Sequence, residues 1–83
     1  MPETVTVLLF AAVREVCGAS EVTLPIGEGA TAGSVLAALC ERHGALSAYV
    51  PSLRVAVNGC YVSLRDPVRA GDEVAIIPPV AGG

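Results

Sequence analysis

The sequence predicts a single α+β domain: a mixed β-sheet with one main helix packed across one face. Three observations carry that expectation. Short runs rich in β-branched or alternating apolar residues recur at 4–10, 21–24, 54–57, 60–62 and 73–77. One segment, 32–43, has apolar residues at helical spacing. The length of 83 residues allows one domain and no more.

Residues 4–10, TVTVLLF, begin with polar/apolar alternation and read as a strand with Val5, Val7 and Leu9 on one face. Residues 11–18 read as a short helical turn ending at Gly18. Residues 21–24 read as a second strand, stopped by Pro25, so that the pair forms an antiparallel hairpin. Residues 27–30, GEGA, are loop, and Thr31 is a suitable N-cap for the helix at 32–43. Val35, Leu36, Leu39 and Cys40 form its buried stripe, and Gly44 follows as the C′ residue. Residues 45–52 read as irregular, with Pro51 as a breaker. Residues 54–57 are a third strand, Asn58-Gly59 is a hairpin turn, and 60–62 return as a short strand. Residues 70–72 turn the chain into the last strand, 73–77, which Pro78-Pro79 ends because neither proline donates a ladder hydrogen bond. The order ββαβββ is that of a β-grasp, or ubiquitin-like, domain, with first and last strands central and parallel.

Composition narrows the function. A domain of this size buries only about 60–65% of its unfolded surface. Yet 53% of the residues are hydrophobic and the mean hydropathy is +0.65. Some of that apolar material is therefore expected on the surface, where a large patch marks a partner site. The competing explanation is a tightly packed domain rich in small Ala and Val. A net charge of −3 and a pI near 4.8 argue against nucleic acid, which calls for clustered Lys and Arg. No apolar run approaches the roughly 20 residues that span a bilayer. The start, MPET, lacks the basic character of a signal peptide, so no membrane association and a cytoplasmic location are expected. All five basic residues are arginines, so no side-chain amine is available for self-acylation. Cys17, Cys40 and Cys60 are odd in number and widely spaced, which suits a reducing compartment and provides neither a disulfide framework nor a zinc or iron–sulfur motif.

The most informative segment is Pro78-Pro79-Val80-Ala81-Gly82-Gly83. Two prolines favour an extended exit from the last strand. Val80 offers one apolar anchor, while Ala81, Gly82 and Gly83 carry almost no bulk. Six extended residues reach about 20 Å at roughly 3.3 Å each, enough to thread a narrow channel and present the Gly83 carboxylate to a buried centre. Terminal glycines are also common as frayed ends. The proline-stiffened exit from a β-grasp strand is what favours function over fraying.

Phe10-Ala11-Ala12-Val13-Arg14-Glu15, Val57-Asn58, and Gly71-Asp72-Glu73-Val74 leading to Pro78-Pro79-Val80-Ala81-Gly82-Gly83 resemble the small subunit of molybdopterin synthase, a ubiquitin-like sulfur-carrier family. The resemblance covers nearly the whole chain and is weakest over 27–52. It implies that a ubiquitin-activating-like adenylyltransferase uses ATP to adenylate Gly83, and that a persulfide donor converts the adduct to a thiocarboxylate. The tail then enters the large synthase subunit and gives its sulfur to a cyclic pyranopterin precursor, two transfers building the dithiolene. The chain itself would bind no cofactor or metal and would not be an enzyme alone. The Gly-Gly ending is shared with carriers for thiamin, tRNA thiolation and cysteine synthesis, and with ubiquitin-like modifiers that form isopeptide bonds. A third possibility is an interaction module whose tail is irrelevant.

The remaining chemical residues read as structural. His43 sits at a helix C-terminus, where its cation is favoured by the helix dipole. Asp72 and Glu73 point to opposite sides and read as solvated rather than as a general acid/base pair. Cys40 reads as a core residue and Cys17 and Cys60 as exposed, with nothing to lower a thiol pKa. Phe10, Tyr49 and Tyr61 are too scattered for a nucleic-acid stacking platform. The docking surface for the partner is expected to be apolar and to include the face of the last strand together with Val80.

Overall fold

The computed structural model describes residues 3–78. Chain order is β1 (Thr4–Leu9), α1 (Ala11–Cys17), β2 (Glu21–Pro25), α2 (Ala32–Arg42), a 3-10 segment (Gly44–Ser52), β3 (Arg54–Val57), β4 (Cys60–Val62) and β5 (Glu73–Ile77). The strands form one sheet in the order β2-β1-β5-β3-β4. β1 and β5 are parallel, with Leu9 opposite Ile76, and the other pairs are antiparallel. Alternation in β1 buries Val5, Val7 and Leu9, as the sequence pattern requires. These meet Leu24, Val55, Val74 and Ile76 from the other strands and Val35, Leu36 and Leu39 from α2 in one core.

The N-terminus of α2 shows why the helix starts where it does. Thr31 Oγ1 accepts from the Ser34 N–H at 3.1 Å, and Ser34 Oγ accepts from the Thr31 N–H at 2.8 Å. This is a capping box with serine in the usual place of Glu or Gln. The loop after β4 supplies the rest: Ala32 N–H donates to Asp66 O at 2.9 Å and Gly33 N–H to Leu64 O at 2.8 Å. All four donors that a helix N-terminus leaves unpaired are thereby satisfied. A Cβ at Gly33 would lie 3.0 Å from Leu64 O, so this close crossing selects glycine.

Four local expectations need correction. Pro25 does not stop β2 but belongs to it, opposite Thr4. β2 is an edge strand, and since Ile26 N–H turns inward to Glu3 O, the missing Pro25 donor faces away from the sheet. Residues 45–52 are not irregular, because Leu46 is fully buried and Val50 and Leu53 pack beside it on the core. Pro51 lies inside this segment; a proline excludes an α-helical interior but is compatible with a string of short 3-10 turns. Helix α2 ends one residue earlier than expected, at Arg42 with His43 as C-cap, and Gly44 has no left-handed φ because it opens the 3-10 segment directly. Cys40 and Cys17 are both half-buried at the core margin, one less buried and the other less exposed than expected; only Cys60 is exposed.

Asp72 is also more than a solvated acid. Its Oδ2 accepts from the Arg69 N–H at 2.9 Å and its Oδ1 from the Asn58 amide at 3.0 Å. Asn58 Oδ1 in turn accepts from the Glu73 N–H at 3.0 Å. Asn58 and Gly59 have φ of 50 and 86, the left-handed pair of a two-residue hairpin loop. The β3–β4 hairpin is thus latched to the turn that launches β5.

Candidate docking face and tail exit

The helix covers one face of the sheet, and strand register defines what lies on the other. Reading across, Glu21, Leu8, Ala75, Ala56 and Tyr61 stand side by side on β2, β1, β5, β3 and β4. The next row toward the end of β5 pairs Ile77 with Arg54. Phe10 follows Leu9 in extended backbone, φ −125 and ψ 151, and alternation carries it to this open face beside Ile77. The opposite end is polar, with Thr6, Thr23 and Glu73 in register. Tyr61 is 64% and Phe10 45% exposed, far beyond what a sealed core surface would leave. Leu8, Ala75 and Ile77 on the same face are half-buried and Ala56 is buried, so the face is an apolar patch whose exposed part is carried by Phe10 and Tyr61.

Because β1 and β5 are parallel, the chain leaves β5 at the same end of the sheet as Phe10. Pro78, the last described residue, follows Ile77 directly. Pro79, Val80, Ala81, Gly82 and Gly83 lie outside the described residues. The patch and the tail exit thus share one end of the molecule. The aromatics that look scattered along the sequence are partly gathered here: strand pairing places Phe10 and Tyr61 on one face.

Among the described residues the titratable groups do not assemble a catalytic set. Burial, and next the neighbouring Cys40, push the Cys17 thiol above its ordinary value, the reverse of what a reactive thiolate needs. The Asp72 carboxyl is held below its ordinary value by the Arg69 backbone N–H first and the Asn58 amide second, which marks a turn brace rather than an acid/base catalyst. Among the described residues no three His, Cys, Asp or Glu side chains are grouped to hold a metal, and no helix is long and apolar enough to cross a membrane.

A five-stranded mixed sheet, one helix across it and a proline exit beside an open apolar face define a ubiquitin-like β-grasp protein. Within that class the chain belongs to the ThiS family, which it matches over residues 7–83. It is 42% identical over 81 residues to the molybdopterin synthase sulfur carrier subunit of Chlamydomonas reinhardtii, covering 95% of this chain and 98% of that protein. Its fold superimposes on small archaeal modifier protein 1 of Haloferax volcanii with a TM-score of 0.88, 34% identity, and coverage of 94% and 99%. It also resembles a chain in a Helicobacter pylori complex of subunits 1 and 2 of molybdopterin-converting factor, with a TM-score of 0.65, 26% identity, and coverage of 96% and 99%.

Proposed function

We propose that this chain is the sulfur-carrier subunit of a molybdopterin synthase and that its reacting atom is the C-terminal carboxylate of Gly83. The observation that carries the reading is the shared end of the molecule: β5 runs out of an uncovered apolar sheet face straight into Pro78 and a tail of minimal bulk. A partner seated on the face would meet the chain where it leaves β5 at Pro78. The relatives named as sulfur carriers support the same reading.

The proposed chemistry follows from the poor electrophilicity of a carboxylate. An adenylyltransferase of the ubiquitin-activating type joins Gly83 to AMP from ATP, releasing pyrophosphate and creating a good leaving group. The terminal sulfur of a persulfide donor attacks the Gly83 acyl carbon and displaces AMP, giving an acyl disulfide. A second thiol then attacks the donor's own sulfur, breaks the S–S bond and leaves a disulfide on the donor side and a thiocarboxylate on Gly83. That sulfur is a soft nucleophile. Docked in the large subunit, it is held near a cyclic pyranopterin precursor at high effective concentration. This chain contributes binding, direction and the sulfur; pterin and ATP belong to its partners.

The test is mass spectrometry of the intact chain after incubation with its activating enzyme, ATP and a sulfur source. One oxygen-to-sulfur exchange is expected, mapped by fragmentation to Gly83. Sulfur on Cys17, Cys40 or Cys60 in its place would overturn the reading. The likeness to small archaeal modifier protein 1 favours one alternative, attachment of Gly83 to lysines of other proteins. That reading requires Gly83-linked isopeptides in the cell, and a thiocarboxylate that sulfurates a pterin argues against it as the main role.

A further inference from the structure

Strand register puts one cation inside the apolar face. Arg54 pairs with Ile77 across β3 and β5, and its guanidinium carbon lies 5.8 Å from the centre of the Tyr61 ring. The two side chains are diagonal neighbours on adjacent antiparallel strands, a spacing that long and aromatic groups bridge. A guanidinium over an aromatic face is attracted to the ring and still presents N–H donors at its edge that can bond a carboxylate bidentately. Among the strand positions of the open face it is the only basic residue.

From this we infer that Arg54 is a specificity-determining contact, one that recognises an Asp or Glu carboxylate on the protein that covers the open face. The identity of that protein, the large synthase subunit, rests on the sulfur-carrier reading. A partner that buries Phe10, Ile77 and Tyr61 strips water from Arg54 as well. A charge desolvated without a counterion is costly, so the covering surface must bring one. Among the described residues, the acids on this face do not serve. Glu21 stands on the far edge strand β2, with β1 and β5 between it and β3. Glu73 lies four residues before Ile77, about 13 Å along β5. The chain as a whole carries a net charge of −3 and repels acidic surfaces, so Arg54, the one cation among the described strand positions of the face, marks where a carboxylate is admitted. A matching carboxylate fixes the register in which the partner docks; an apolar surface without one is rejected.

The experiment is calorimetric titration of the full chain against the molybdopterin synthase large subunit, with thermal melts of every variant as a folding control. Arg54→Leu keeps the apolar area and removes the charge; it is expected to weaken binding at least about 30-fold, the low end for loss of one partner of a buried charge pair. Arg54→Glu should weaken it further. Arg54→Lys should recover part of the loss, because the charge remains but the planar fork does not. Ile77→Asp should abolish binding. Arg54→Leu binding as tightly as the unaltered chain, or more tightly, would overturn the inference while leaving the apolar interface intact. Unchanged binding by Ile77→Asp would remove the face itself as the interface and the inference with it. No complex with the unaltered chain would instead sink the sulfur-carrier reading, on which the partner's identity rests.

Discussion

Asn58→Ala tests whether the hairpin latch holds β5 in place. Asn58 makes three contributions. Its amide donates to Asp72 Oδ1 at 3.0 Å, its carbonyl accepts from the Glu73 N–H at 3.0 Å, and it occupies φ 50 without strain. Each hydrogen bond is worth about 0.5–1.5 kcal/mol, toward the low end here because both are exposed to water. Alanine in the left-handed region costs about 1–2 kcal/mol more than a residue that tolerates it. The sum is about 2–3 kcal/mol, and 1 kcal/mol moves the midpoint of a domain this size by about 4–8 °C. The expected result is a fall in Tm of about 10–15 °C or more, read by circular dichroism. Asn58→Gly separates the parts: it removes both side-chain bonds but accepts the positive φ, so it should recover about 1 kcal/mol relative to alanine. Amide exchange of Glu73 should accelerate in both variants. If both melt within about 2 °C of the unaltered chain, smaller than any one of these terms, the latch contributes nothing and β5 is held by its ladders alone.

Further outcomes are expected. Gly33→Ala gains about 1 kcal/mol of helix propensity, but its Cβ meets Leu64 O at 3.0 Å and loosens the bond that same oxygen accepts from residue 33. Crowding and the weakened bond cost more, about 2–3 kcal/mol together, so urea denaturation should show a lower midpoint with unchanged slope. The pH dependence centres on Asp72. Its carboxyl is held below the usual aspartate value near 4, so the charged form favours the folded state. That contribution is complete above about pH 4 and disappears as pH falls through the lower folded value. Asp72→Asn should therefore show a shallower acid loss of stability than the unaltered chain, measured by melts from neutral pH downward. On the proposed sulfur-carrier function, extending the tail by one residue after Gly83 would displace the proposed reacting carboxylate by about 3.5 Å; sulfur transfer should then drop at least about a hundredfold while the melt stays unchanged. Full transfer by the extended chain would refute the threaded tail.

Much of the fold is legible before any coordinates because its determinants are local. Val5, Val7 and Leu9 alternate, Thr31 precedes a helical stripe, and Asn58-Gly59 forces a two-residue hairpin. Gly82-Gly83 after Pro78-Pro79 likewise stands out in the sequence, because small residues beyond a strand breaker have no packing role to fill. Where reading failed, a nonlocal partner had overridden a local preference. Pro25 is a breaker by its own chemistry, yet at an edge its missing donor faces no neighbour. Residues 44–52 contain a proline and little periodicity, yet burial of Leu46 gives them a regular form.

By itself the sequence determined the order of the strands and the main helix and the alternation of the core, and it put the tail forward as the candidate reactive segment. Only tertiary structure decided that Leu8, Ala75, Ala56 and Tyr61 form one row, that Phe10 and the exit at Pro78 share an end, and that Arg54 lies on Tyr61 within the patch. The physical reason is strand pairing. Alternation tells which residues leave the core, but it does not tell which strand lies beside which or in what register. Those are set by hydrogen-bonded ladders between segments as far apart as β1 and β5, and the candidate docking face exists only once the ladders have formed.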